Sequence, residues 1–154
     1  MVKDDLRTIL EGAIKIEEQS YALYKMAQGK VKYESSKKFL EELAQEEVMH
    51  KEKLMSIMKN EKKISELGLQ ASKTQDLKIV DVMRDTNISD DADYQRILIY
   101  AAKREKSTYD YYKSLALGLE GTEIGTLFSK LAQEELSHKN KLEQEYDEYI
   151  LKEN

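Results

Sequence analysis

Residues 43–54 read LAQEEVMHKEKL and residues 131–142 read LAQEELSHKNKL, so one stretch of the sequence occurs twice. Each copy contains a Glu-x-x-His motif, and the two copies together hold both histidines of the protein. Within each copy the leucine, glutamate and histidine residues recur at intervals of three and four, which is the period of one face of an α-helix. The motif therefore predicts two equivalent helices, each with a glutamate and a histidine on the face that a bundle core would bury.

The repeat extends to the segments that precede these two stretches. A constant offset of 88 positions (from 43 to 131) also relates residues 13–24 to residues 101–112. A repeat of this kind relates whole structural units, so the sequence predicts two related helical hairpins that together form an all-α, four-helix bundle. The matching residues are Ala13, Glu17, Tyr21 and Tyr24 in the first half and Ala101, Glu105, Tyr109 and Tyr112 in the second.

Glycines and helix-capping residues indicate where the helices end. We expect helices at about residues 4–28, 34–60, 90–117 and 122–150 of a single domain that spans residues 1–154. The Ser-Asp-Asp sequence at 89–91 is predicted to cap the third helix. The connection at 61–89, with a predicted short helix at 76–83, is much longer than neighbouring helix ends would need. We therefore predict a crossover that runs along the length of the bundle.

Each predicted helix carries a glutamate on its apolar stripe, where a hydrophobic residue would be expected. In the second and fourth helices a histidine follows three residues later. Burying four carboxylates together is costly unless positive charge compensates them, and no lysine or arginine lies on these stripes near the glutamates. A pair of metal ions would supply that charge. The predicted ligands are Glu17, Glu47, His50, Glu105, Glu135 and His138.

The spacing of the four glutamates places them at one level of the bundle. Glu17 and Glu47 are separated by the same number of residues as Glu105 and Glu135, and a turn lies near the middle of each interval. One Glu from each of two helices, with Glu-x-x-His from each of the other two, is the ligand pattern of ferritin-like di-iron and di-manganese proteins. We predict that Glu47 and Glu135 bridge two ions and that each remaining Glu–His pair completes one of them. Which histidine serves which ion is left open.

Side chains beside the predicted ligands carry weaker signals. Tyr21 and Tyr109 follow ligand glutamates by four residues on the same helix face, so their hydroxyls are candidates to hydrogen-bond the ligand carboxylates. Plain core packing explains them at least as well, and it is the expected role of Tyr24 and Tyr112. Three further glutamates lie one step off the stripes and are expected to face solvent, with a role in contact with the ligands as the less favoured alternative: Glu18, Glu46 and Glu134.

These motifs resemble the rubrerythrin branch of the ferritin-like di-iron carboxylate superfamily. The similarity lies in Ala-Ile-x-x-Glu followed by Tyr at residues 13–24, in Leu-Ala-x-Glu-Glu-x-x-His at 43–50, and in the repeats of both. The resemblance implies a four-helix bundle with two iron ions, reaction with hydrogen peroxide or dioxygen, and a homodimer or higher homo-oligomer. Since the chain has no cysteine to form the family's rubredoxin iron domain, electrons would come from an external donor such as a rubredoxin-type protein.

One position departs from the rubrerythrin pattern. Thr108 stands where rubrerythrins place an additional glutamate, and Ser20 occupies the matching position of the first half. The remaining set of four Glu and two His is more like that of bacterioferritin, so a ferroxidase or iron-storage protein is the alternative to an oxidoreductase. A structural bundle that binds zinc or manganese is a third interpretation. A metal-free scaffold is the least favoured, because four buried glutamates would need other partners.

The composition excludes several other functions. The absence of cysteine removes disulfides, Cys-ligated zinc, iron–sulfur clusters and a thiol nucleophile. A net charge of −5 without a basic patch argues against nucleic acid as a partner. The sequence has neither an apolar run long enough to span a membrane nor an apolar signal core near residue 1. We therefore expect a cytoplasmic protein without a membrane partner.

Overall fold

The computed structural model describes residues 2–60, 62, 64, 66, 88, 89 and 91–153 of the chain. This part forms four helices, α1 (Val2–Gln28), α2 (Glu34–Met58), α3 (Tyr94–Gly118) and α4 (Glu123–Glu153), and the described residues contain no strand. The predicted all-α four-helix fold is confirmed. The short helix predicted at 76–83 lies outside the described residues. None of the four helices combines the length and the apolar character that crossing a membrane requires.

Hydrogen bonds between the hairpins fix the direction of each helix. The Nε of Arg104 in α3 donates to the Ser20 hydroxyl of α1 at 3.3 Å. Further along α3, the Tyr112 hydroxyl donates to the carbonyl of Ala13, nearer the start of α1, at 3.4 Å. Helix α3 is thus antiparallel to α1, as α2 is within its hairpin, so α2 and α3 are parallel. The end of α2 and the start of α3 therefore lie at opposite ends of the bundle, as predicted for a crossover connection.

Two apolar layers fill the bundle on either side of its middle. The first layer lies at the end where α1 starts and α2 ends, and the second at the end that holds the turn between them. Because each helix contributes to both layers, the stripe positions between them are held at mid-bundle. The first layer includes Leu6, Leu10, Leu54, Leu119 and Phe128, and the second includes Val31, Leu40, Tyr94, Leu98 and Leu142.

Helix α3 begins at Tyr94 rather than at the predicted residue 90. Its N-cap is Asp93, whose carboxylate accepts a hydrogen bond from the backbone N–H of Arg96 at 2.9 Å. Before it, Asp91 lies in a turn, and the N–H of Ala92 donates to the Ser89 carbonyl at 3.1 Å. The Asp at 93 satisfies a free N–H of the first helical turn, which explains why the helix starts after it.

The turn between α3 and α4 depends on a close backbone approach at Gly125. The Thr122 hydroxyl donates to the Leu119 carbonyl at 2.6 Å and accepts from the N–H of Gly125 at 3.0 Å. A Cβ atom at position 125 would lie 2.2 Å from the Leu119 oxygen, so a larger residue would force the backbone to shift. Glycine at 125 thus lets α4 start tightly against the end of α3, which sets the register of the second hairpin.

Candidate metal centre

The six predicted ligands converge between the two apolar layers, and each is at most 2% exposed. They form two groups of four side chains that overlap in Glu47 and Glu135. Within each group, one ligand atom per residue lies within 4.8 Å of all the others. The sharing of one carboxylate from each Glu-x-x-His motif is the arrangement expected of two bridging ligands. The groups are completed by Glu17 with His50 and by Glu105 with His138.

Both imidazole rings turn their Nδ1 atoms towards the carboxylates. The Nδ1 of His50 lies 2.8 Å from Glu17 Oε1. The Nδ1 of His138 lies 3.3 Å from Glu47 Oε1 and 3.5 Å from Glu105 Oε2. The two rings are nearly parallel, with an interplanar angle of 15° and centroids 5.8 Å apart. Each histidine thus presents the same nitrogen to the space that the carboxylates enclose.

Carboxylates from the opposite motif face the far side of each ring. Glu134 Oε2 lies 3.1 Å from the Nε2 of His50, and Glu46 Oε2 lies 3.2 Å from the Nε2 of His138. These two glutamates were expected to face solvent, yet their side chains are only 34% and 39% exposed. A carboxylate beside Nε2 favours the proton on that nitrogen and leaves the Nδ1 lone pair for a metal ion. Each motif therefore positions the histidine of the other.

Burial and mutual repulsion raise the pKa of three of the four central carboxyl groups. Burial, followed by the charges of Glu135 and Glu47, raises the pKa of Glu17 well above its ordinary value. Burial and the neighbouring carboxylates raise the pKa of Glu135 strongly as well, and they also raise that of Glu105. Burial pushes the pKa of Glu47 upwards too, but the two histidines outweigh it and lower that pKa to about 2. Glu17, Glu105 and Glu135 therefore bind protons more readily than ordinary carboxyl groups unless a cation compensates their charge.

The same surroundings also shift the pKa values of the two histidines. Burial alone would lower the pKa of His50, but hydrogen bonding to Glu135, Glu17 and Glu47 raises it above its ordinary value. The pKa of His138 is likewise lowered by burial and raised, with a larger net effect, by the carboxylates around it. Protons on the imidazoles thus supply part of the positive charge that this cluster requires when no metal is bound.

The donor atoms of the cluster fit a pair of divalent cations. Buried polar atoms in proteins nearly always have hydrogen-bond partners, and eight atoms of this cluster have none. Carboxylate oxygen and imidazole nitrogen are suitable ligands for iron, manganese and zinc. Metal ions would satisfy the carboxylate oxygens and the Nδ1 of His138 and would compensate the charge, while the Nε2 of His138 faces Glu46. The atoms are Glu17 Oε2, both carboxylate oxygens of Glu47, Glu105 Oε2, both carboxylate oxygens of Glu135, and both ring nitrogens of His138.

Tyr24 has the contact that the sequence assigned to Tyr21 and Tyr109. Its buried hydroxyl donates to Glu105 Oε1 at 2.8 Å, whereas Tyr21 and Tyr109 are partly buried and pack against the apolar layers. Burial and the charge of Glu105 raise the pKa of Tyr24 well above 10, so the phenol remains a donor. Tyr24 lies on the stripe of Glu17, but its spacing gave no signal for this contact, because Tyr112 has the same spacing from Glu105 and bonds a backbone carbonyl instead.

Thr108, which replaces the additional glutamate of the rubrerythrin pattern, and its counterpart Ser20 are both buried and hydrogen-bonded. Thr108 is fully buried, and its hydroxyl donates to the Arg104 carbonyl one turn earlier at 3.0 Å. Ser20, the matching residue of α1, is also fully buried and accepts from the side chain of Arg104. The bond between Arg104 and Ser20 connects α3 to α1, whereas that of Thr108 stays within α3, and neither Thr108 nor Ser20 adds a carboxylate to the cluster.

A comparison with protein families supports the same interpretation. The model of the rubrerythrin family matches residues 8–95, which include most of α1, all of α2 and the start of α3. No curated protein and no solved structure matches the chain. The family match covers more than half of the 154 residues and includes Glu17, Glu47 and His50, and the second hairpin repeats the same motif. The chain therefore belongs to the rubrerythrin family.

Proposed function

We propose that this protein is a non-haem di-iron oxidoreductase that reduces hydrogen peroxide or dioxygen with electrons from an external donor. The observation that supports this most directly is the sharing of Glu47 and Glu135 between the two ligand groups. Two carboxylates that belong to both groups are placed to hold two ions side by side. When bound, two ferrous ions supply the two electrons that convert one hydrogen peroxide and two protons into two water molecules.

The surrounding side chains would hold such a centre in position. His50 and His138 offer Nδ1, while Glu134 and Glu46 lie within 3.2 Å of Nε2 on the far side of the rings, where they would orient them. The hydroxyl of Tyr24 restrains Glu105. The apolar layers above and below exclude water from the bundle axis, which strengthens the electrostatic attraction between the ligands and the ions.

The electron donor belongs outside this chain in our proposal. The chain contains no cysteine, so it cannot form the Cys-ligated iron site that serves as the donor domain in rubrerythrins. A rubredoxin-type protein is the donor that the family suggests. We also propose a homodimer or a higher homo-oligomer as the working form, and sedimentation of the purified protein would test that part separately.

Ferroxidase activity is the second candidate, and the environment of Thr108 favours it. Because this residue is a threonine, the cluster has four Glu and two His without an additional carboxylate at this position. The threonine hydroxyl itself donates to the Arg104 carbonyl of the same helix. In this version of the proposal, ferrous ions are the substrate and dioxygen is the oxidant. The two candidates use the same ligands and differ in which oxidant reacts fast.

Metal content and oxidant preference test the proposal together. We expect protein produced with iron to bind about two irons per chain. After anaerobic reduction, oxidation of these irons is followed optically on addition of hydrogen peroxide or dioxygen. Rapid reaction with peroxide supports the oxidoreductase, and reaction with dioxygen but barely with peroxide supports the ferroxidase. Zinc or manganese in place of iron, without redox chemistry, would contradict both candidates.

A further inference from the structure

An opening between α1 and α2 reaches the ligand cluster. Its volume is about 480 Å³, and its lining includes two ligands, Glu17 and Glu47. Tyr21, Val48 and Met55 form its apolar walls. Because Glu17 and Glu47 are themselves almost completely buried, they lie at the inner end of this space. The cluster is thus bordered on the side of the first hairpin by a cavity large enough for small molecules and ions.

An ion pair between the two helices lies at the rim of this opening. Lys51 Nζ of α2 is 2.7 Å from Glu18 Oε2 of α1, and both side chains are partly exposed. Glu52 lines the same opening. Two acidic residues and one basic residue leave the rim with a net negative charge, which favours cations.

The corresponding face of the second hairpin is arranged differently. The repeat offset places Lys106 and Lys139 at the positions of the rim pair. Each of these lysines pairs along its own helix, Lys106 with Asp110 at 2.8 Å and Lys139 with Glu143 at 3.1 Å. The groove over them has a volume of about 720 Å³, and none of the six ligands lines it. This groove therefore does not reach the cluster as the opening between α1 and α2 does.

The two terminal carboxylates of the cluster are also restrained differently. Glu105 Oε1 accepts a hydrogen bond from Tyr24, whereas Glu17 Oε1 lies 2.8 Å from the Nδ1 of His50, and the Oε2 atom of each carboxylate has no hydrogen-bond partner. Tyr112 is the repeat counterpart of Tyr24, and its hydroxyl donates to the Ala13 carbonyl instead of to Glu17. Glu17 thus contacts a histidine of the cluster where Glu105 contacts a phenol, and it is the terminal carboxylate that borders the opening.

We propose that divalent metal ions and the small oxidant reach the centre through the opening between α1 and α2. The position held by Glu17 and His50 then fills and exchanges before the position held by Glu105 and His138. This inference rests on the proposed metal centre, but it applies to any divalent ion that the cluster binds. It assigns different roles to two metal positions whose ligand sets are equivalent in the sequence.

Narrowing the opening tests the route, and the repeat supplies a matched control. Val48 lines the opening and Leu136 is its counterpart in the second hairpin. Uptake of Co²⁺ by the metal-free protein is followed by visible absorption after rapid mixing. We expect Val48→Phe to slow uptake on the order of tenfold and Leu136→Phe to leave the rate nearly unchanged. Circular dichroism and thermal unfolding verify that both variants are folded.

A charge change at the rim separates the route from packing effects. Glu18→Lys introduces the charge of its counterpart Lys106 at an exposed site, so this variant is expected to fold normally. Co²⁺ uptake should slow by about tenfold at low salt and recover as salt is added. Oxidation of the iron-loaded, reduced variant by uncharged hydrogen peroxide should keep its rate.

The results of these experiments show separately whether the entry route is wrong and whether the metal centre is wrong. If the unmodified protein binds two Co²⁺ ions and both Val48→Phe and Glu18→Lys take them up at its rate, the route is wrong and the metal centre remains. Equal slowing in Leu136→Phe and Val48→Phe would also overturn the route. If the unmodified protein binds no Co²⁺, iron or other divalent ion, both the centre and the route are wrong.

Discussion

The two hairpins contain the same ligands in different surroundings. Their Glu-x-x-His motifs coincide at the offset of 88 positions, and each motif contributes one shared carboxylate and one histidine to the cluster. Beyond the ligands the halves diverge. Tyr24 of the first hairpin donates to Glu105 of the second, but its counterpart Tyr112 donates to a backbone carbonyl.

This difference shows that the residues that could bind metal are not the ones that control access to the cluster or restrain its side chains. Both halves contain the same carboxylate and imidazole groups, which are the donor types that a pair of divalent ions would need. Access depends on neighbours such as Val48 and Glu18, which the repeat replaces with Leu136 and Lys106. Restraint depends on Tyr24, whose counterpart is also a tyrosine but makes a different contact. A centre with equivalent ligands can therefore have one restrained side and one accessible side.

The largest effect is expected when the residues common to both halves are removed. Changing Glu47 and Glu135 to alanine together should abolish metal binding, because both ligand groups lose their shared carboxylates. Changing only Glu17 or only Glu105 to alanine should leave about one ion per chain, because each residue belongs to one group. Elemental analysis of the purified variants measures this. Two ions retained in the double variant would contradict the ligand assignment.

A second effect comes from protons that compete with the metal. The pKa values of Glu17, Glu135, His50 and His138 are raised, so these groups hold protons that a bound ion must displace. Metal affinity should therefore rise with pH, by about tenfold per pH unit for each proton displaced. Calorimetry in buffers of different ionisation enthalpy counts the released protons. Affinity that is constant between pH 5 and 8 would refute this account.

The same pKa shifts determine whether the stability of the metal-free protein rises or falls with pH. A group whose pKa is raised by folding stabilises the fold fully below its unfolded pKa, and this stabilisation is lost as pH rises towards the folded value. Glu17 and Glu135 lose it above their ordinary range near 4.5, and the histidines above 6.5. The lowered pKa of Glu47 acts in the opposite sense only at pH values below 4.5. Thermal unfolding of metal-free protein should therefore occur at lower temperature at pH 8 than at pH 5.

The fold and the ligand set were predictable because both depend on periodic features of the sequence. Glutamates on apolar stripes, at equal distances from a turn, specify the helix faces and the level at which Glu17, Glu47, Glu105 and Glu135 meet. The duplication made the pattern visible twice. No knowledge of how the helices pack was needed beyond the rule that apolar faces are buried.

Contacts between neighbouring helices were not predictable in the same way. The sequence indicated the stripe that holds Tyr24 but not that its hydroxyl reaches across from α1 to Glu105 on α3. Glu46 and Glu134 lie one step off their stripes, which predicted solvent exposure, yet each reaches the imidazole of the opposite motif. Both contacts depend on the rotation and spacing of two helices, and a pattern read along one helix does not contain this information.

The smallest effect is expected from removing the hydroxyl group of Tyr24 or of its counterpart Tyr112, and the two variants compare the hairpins directly. Tyr24→Phe leaves Glu105 Oε1 buried without its donor, which should cost the metal-free protein about 2 kcal/mol and weaken binding of one ion about tenfold. Tyr112→Phe removes only a long hydrogen bond to the Ala13 carbonyl, at 3.4 Å, and should cost less than about 1 kcal/mol. Urea unfolding and competitive metal titration of both variants provide the two values. Since the substitution is chemically identical at both positions, a difference in metal affinity reports the hydroxyl at Glu105, and equal effects would mean that the halves are restrained alike.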